Sequence, residues 1–124
     1  MWMFAGNSDA AVALTDTAQD ATIEVFDRDD GSDERLLLGD AAVAAKGAET
    51  ATILFTGGSF GPNAGPFLFR VGMWTPIEDR EDFLAWYEDD HLSLLLDHPA
   101  WDGCRFIETA ADDGCQFYVL HQMQ

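Results

Sequence analysis

Residues 67–74, Phe-Leu-Phe-Arg-Val-Gly-Met-Trp, followed by Thr75-Pro76-Ile77-Glu78, set the frame for the rest of the chain. The run lies between Pro66 and Pro76 and is apolar at most positions, which predicts one β-strand. Residues 75–78 read as a turn that starts a helix, with Asp79, Glu81 and Asp82 in the first turn, where the helix dipole favours acids. Phe83, Leu84, Trp86, Tyr87, His91, Leu94 and Leu95 follow at spacings of three and four, the mark of an amphipathic helix that Pro99 stops. Two strand-like runs, 103–109 and 115–121, then flank Ala111-Asp112-Asp113-Gly114, in which Asp-Gly signals a hairpin.

Working back from Pro66, residues 57–66 are a loop by composition, and no lysine or helix follows to make their glycines a phosphate cradle. Residues 50–56 predict a buried strand, and no acid occurs between Thr50 and Ile77. Residues 40–48 are alanine-rich behind an N-capping Asp40 and predict a short helix ending near Gly47. Residues 1–39 are the least legible and are read as an extension with strands near 22–26 and 35–38 around an acidic turn. The expected organisation is therefore an extension, 1–39, and an α+β domain, 40–124, with an antiparallel sheet and helices on one face.

The 124 residues carry 23 acids against six Lys and Arg, a formal net charge of −17. Such a surface repels phosphate backbones and anionic lipid, so nucleic acid and membrane are not expected partners. An acidic chain with Lys46 as its one lysine suits concentrated salt, whose cations screen self-repulsion, and equally suits plain acidic solubility. A nucleic-acid mimic is the third reading, and the apolar periodicity of a packed domain ranks it last. No apolar run approaches the ~20 residues of a membrane span, and the start shows no basic leader, so a cytoplasmic location is expected. If residues 111 and 114 flank the turn, Cys104 faces His121 and Cys115 faces Ala110, which separates the sulfurs by roughly 20 Å. Both cysteines are then free thiols.

Residues 83–96, with Pro99-Ala100-Trp101 and Gly103-Cys104-Arg105 beyond, resemble the dimeric α+β barrel superfamily, most closely its EthD-type branch. The resemblance covers about residues 66–123. It departs from the family at Ser93, where proline is usual, at Ala100, where glycine is usual, and in lacking a second helix and fourth strand after the hairpin. It implies a ferredoxin-like half-barrel that pairs as a homodimer. Residues 40–48 and 50–56 would supply the missing helix and strand in a circularly permuted arrangement, with 50–56 beside 67–74. An unrelated N-terminal domain and a piece of a tandem repeat are the other readings.

Strand parity places Phe67, Phe69, Val71 and Met73 on one face and Leu68, Arg70, Gly72 and Trp74 on the other. The hairpin divides likewise, with Cys104, Phe106, Phe117 and Val119 opposite Arg105, Ile107, Tyr118 and Leu120. The apolar set should meet the helix. The second set brings together Arg70, Arg105, Trp74 and Tyr118, which the resemblance puts inside the barrel. There the guanidinium groups suit an anionic or aromatic small molecule, or instead pair with Glu108 and other local acids. His91 is the acid–base candidate, with Trp86 and Tyr87 as its neighbours on the helix, or else simply packs the helix. His98 and His121 read as structural, the acids 88–90 as a solvated face, and the three histidines lack metal-ligand spacing. The expected function is a cofactor-independent isomerase, cyclase or mono-oxygenase, in which His91 moves a proton and the arginines stabilise an oxyanion. The alternatives are a non-catalytic small-molecule-binding or assembly protein, and the acidic mimic.

Overall fold

Asn7 ends the first strand and caps the helix after it. Its Oδ1 accepts a hydrogen bond from the Ala10 amide at 2.8 Å, and Asp9 sits in the first turn. The computed structural model describes residues 1–18, 23–28, 30–41, 46–61 and 64–124. The chain is α+β, and its contacts divide it into two units, Met1–Ala51 and Thr52–Gln124.

In the first unit, β1 (Trp2–Asn7), α1 (Ser8–Thr17), β2 (Ile23–Asp27) and β3 (Glu34–Gly39) follow in chain order. β3 lies between β2 and β1 and is antiparallel to both. β2 and β3 are the two strands expected near 22–26 and 35–38. β1 and α1 are additions that the sequence did not announce, because α1 buries only the small face of Ala11 and Leu14. These two pack with Trp2 and Leu37 in a small core. Trp2 pairs with Gly39, and a Cβ on Gly39 would overlap the indole, so the absent side chain is what lets the ring lie flat and fully buried. Of the helix expected at 40–48, residues 42–45 lie outside the described residues, and the described ones, 40–41 and 46–48, are not helical.

β4 (Glu49–Gly58) opens in the first unit, where Thr50 and Glu49 pair with Trp2 and Met3. The second unit continues with β5 (Phe67–Thr75), a 3-10 turn (Ile77–Asp79), α2 (Arg80–Trp86), a π-helical turn (Tyr87–Leu92), α3 (Ser93–Leu96), β6 (Trp101–Thr109) and β7 (Cys115–Met123). The strand order here is β4-β6-β7-β5. β7 is antiparallel to both β5 and β6, so those two run parallel, joined by the helical segment with β7 inserted between them. This is a split β–α–β unit. The hairpin register pairs Cys104 with His121 as expected, and both cysteines are free and buried.

The position of β4 corrects the permuted arrangement. It lies beside β6, at the opposite end of the order from β5. The connecting loop crosses the ends of β6 and β7 instead of turning tightly back. A register shift between Trp101 and Gly103 frees Asp102, whose carbonyl accepts from the Ser59 amide at 2.8 Å and whose Oδ2 accepts from the Gly65 amide at 2.5 Å. Gly58, with φ +63, reaches β6 closely enough that a Cβ there would strike the Asp102 carbonyl.

The main core forms where the helical segment meets the sheet. Tyr87 and Leu92 pack on Cys104, Phe106, Cys115, Phe117 and Val119, with Phe83, Leu84 and Met73 around them. This is the apolar face that strand parity selects. Arg80 ties the start of α2 to β6 through a two-pronged pair with Glu108, Nη2–Oε1 at 2.7 Å and Nε–Oε2 at 3.2 Å. No helix among the described residues is long and apolar enough to cross a membrane.

Candidate functional site

Three adjacent strands build one side of the second unit. Arg70 on β5 pairs with Leu120 on β7, which pairs with Arg105 on β6, so two arginines flank one buried leucine in the sheet. One step along, Gly72 pairs with Tyr118 and Tyr118 with Ile107. Because Gly72 has no side chain, the Tyr118 ring lies over it, and the Arg70 guanidinium sits 5.3 Å from the ring centroid. Trp74 follows on the same face, half-exposed and against Gly114 of the hairpin. The four residues singled out for ligand binding on strand parity, Arg70, Arg105, Trp74 and Tyr118, thus share one face.

The chain's three other arginines are each ion-paired. Arg28 pairs with Asp30 and Glu34, Arg35 with Asp27, and Arg80 with Glu108. Glu108, the local acid considered for Arg70 or Arg105, is therefore engaged by Arg80, and it alternates with Arg105 onto the helical side of β6. Arg70 and Arg105 each lie near an aromatic ring. Arg105 has its guanidinium 4.3 Å from the centroid of Phe60, a cation–π geometry.

Phe60 was not anticipated. It reaches the face because Gln122, buried at the end of β7, holds the loop at three points. Its Oε1 accepts from the Gly61 amide at 2.7 Å, and its Nε2 donates to the Gly61 and Gly65 carbonyls at 2.9 and 3.1 Å. A glutamine among alternating buried residues was the one sequence signal available for this anchor.

His91, Trp86 and Tyr87 stand on the other side of the sheet, with the helices. His91 stacks on Trp86, centroids 5.3 Å apart and planes 23° apart, and lies 4.9 Å from Tyr87. The π-helical turn brings this about, since its wider winding aligns residues five apart. Burial pushes the Tyr87 phenol up to about 12, with the nearby Cys104 adding to the effect. Burial also raises the Cys104 thiol, against a lowering hydrogen bond from the Gly57 backbone.

His121, read from sequence as structural, joins this group. It is 1% exposed, its ring meets Trp101 edge-on at 4.4 Å, and its Nδ1 has no hydrogen bond among the described residues. Burial, and then the charge of His91, push it down to about 4. The sheet thus stands between His91 and His121 on one side and Arg70 and Arg105 on the other. His98 accepts a hydrogen bond at Nδ1 from the Ala100 amide, a local turn contact.

In the first unit, an open depression of about 610 Å³ is lined by Gly6, Asn7, Arg28, Asp30 and neighbours. Two of its acids, Asp30 and Glu34, pair with Arg28, the third, Asp33, accepts from the Ser8 amide, and none of the singled-out residues reaches it. Among the described residues no three His, Cys, Asp or Glu side chains gather as metal ligands. No family model, curated protein or solved structure matches the chain.

Proposed function

We propose that the chain is a small-molecule-binding protein whose second unit, a ferredoxin-like half-barrel of dimeric α+β barrel type, takes an anionic aromatic ligand on its helix-free face. The observation that carries the reading is the placement of Arg70 and Arg105 on either side of Leu120, with Tyr118 one step along and Trp74 beyond it. In this geometry two guanidinium groups suit a carboxylate or enolate, while Tyr118 and Trp74 offer ring faces. The split β–α–β order of β5, β6 and β7 supports the half-barrel reading. Binding is favoured over catalysis because His91 lies across the sheet from the arginines, too far round to move a proton on a ligand held there. An isomerase, cyclase or mono-oxygenase would need another acid–base group on the arginine side.

The test is titration with aromatic carboxylates and their neutral amides, read from tryptophan fluorescence. Saturable binding of carboxylates but not amides is expected. Arg70→Gln and Arg105→Gln should each weaken it roughly tenfold or more, the scale of one charge-assisted hydrogen bond. Equal affinity for acid and amide would refute the proposal.

A further inference from the structure

The helical segment of the second unit, from α2 through the π-helical turn to α3, keeps large apolar side chains on the side away from the core. Phe83, Leu84, Tyr87 and Leu92 take its contacts with the sheet. Outward, Asp82, Trp86, Asp89, Asp90, Leu94 and Asp97 are all exposed, so acids and large apolar side chains alternate turn by turn. Trp86 is 51% exposed, and Leu94, at 73%, is the most exposed large apolar side chain among the described residues. One such side chain is ordinary on any surface, whereas these two share a stripe. On a regular helix, residues eight apart are offset by roughly 80°. The π turn between Trp86 and Leu94 winds more widely and so brings them closer into line, roughly 12 Å apart along the axis. The Trp86 ring is also fixed in advance, stacked on His91 at 5.3 Å and edge-on to Tyr87 at 5.8 Å. A ring already held loses little freedom on binding, which suits it as an anchor.

We infer that this stripe is a docking surface for a basic amphipathic helix of another protein. Apolar side chains of that helix meet Trp86 and Leu94, and its lysines and arginines meet the acids between and beside them. Charge chooses the occupant. Residues 78–97 carry eight acids and one arginine, and that arginine, Arg80, is committed to Glu108. A second copy of this chain would bring acids against acids, and anionic lipid or nucleic acid would bring phosphate, so each is repelled here. A partner that is only charged would leave the two apolar side chains uncovered. The stripe lies on the helical side of the sheet, away from Arg70 and Arg105, so it neither needs the ligand proposed there nor obstructs it.

The test is isothermal titration calorimetry of the full chain with an amphipathic leucine–lysine peptide of about four helical turns, in ~0.15 M NaCl. A scrambled peptide of the same composition is the control for charge alone. Saturable binding of one amphipathic peptide per chain is expected, roughly tenfold tighter than the scrambled one. Leu94→Ser and Trp86→Ser should each weaken it roughly tenfold, while Val25→Ser, at an exposed apolar position of the first unit, should change it by less than about twofold. Leu94→Ser carries the test if circular dichroism shows that Trp86→Ser disturbs the helix. Absence of saturable binding overturns the inference, and so does equal affinity for the two peptides, which would reduce the attraction to net charge. Unchanged affinity in Leu94→Ser, or equal losses in all three variants, overturns it as well.

Discussion

Trp86 and His91, five residues apart, stack on one another at 5.3 Å because the helix widens into a π turn between them. On a regular helix the neighbours of Trp86 would lie three and four positions away. The stack keeps His91 on the helical side, with Tyr87 between it and the core. His91→Ala should therefore leave the affinity for an aromatic carboxylate within about twofold, whereas Arg105→Gln should lower it roughly tenfold. Parallel fluorescence titrations of the two variants check this, and a comparable loss in both would put His91 at the ligand after all.

His121 predicts how stability responds to acid. Its folded value, about 4, lies below the ordinary 6.5, so the unfolded chain takes up this proton first as pH falls. The contribution of the neutral buried ring is whole above pH 6.5 and declines as pH drops toward 4. It amounts to roughly 3 kcal/mol in all, on the scale of about 1.4 kcal/mol per pH unit. Urea unfolding between pH 7 and about 5, above the range where most carboxylates titrate, should show the decline, and His121→Phe should flatten it.

The Arg80–Glu108 pair joins the start of α2 to β6 through two hydrogen bonds. Arg80 is about one-third exposed, so solvent screens much of the attraction. A double-mutant cycle with Arg80→Met and Glu108→Gln should give a coupling of about 1 kcal/mol. A value near zero would mean that packing alone positions α2.

In the first unit, the fully buried Trp2 depends on Gly39 opposite it. Trp2→Ala should cost roughly 3–5 kcal/mol by leaving a cavity. Gly39→Val should be comparably damaging, since its branch would occupy the place of the indole. Denaturant unfolding of both variants measures this.

Cys104 and Cys115 are free and buried, and burial raises the Cys104 thiol. A thiol reagent such as Ellman's should find Cys104 almost unreactive in the folded chain and both thiols reactive in denaturant. Rapid labelling of Cys104 under native conditions would mean that β6 opens readily.

Local chemistry determined much of the second unit. Period-two alternation and the Asp-Gly turn were enough to pair Cys104 with His121, and the spacing of Phe83, Leu84 and Tyr87 was enough to choose the face that meets the core. The same parity grouped Arg70, Arg105, Trp74 and Tyr118, because alternation along a strand is a property of the covalent chain. Tertiary structure alone decided three things. The order of strands was one, since a loop rich in glycine can turn back or cross over, and Gln122 and Asp102 hold this one across the ends of β6 and β7. The separation of His91 from the arginines was another, because sequence distance does not say which side of a sheet a helix will cover. The last was β1 with α1, whose small side chains acquire a direction only once Trp2 has Gly39 to lie against.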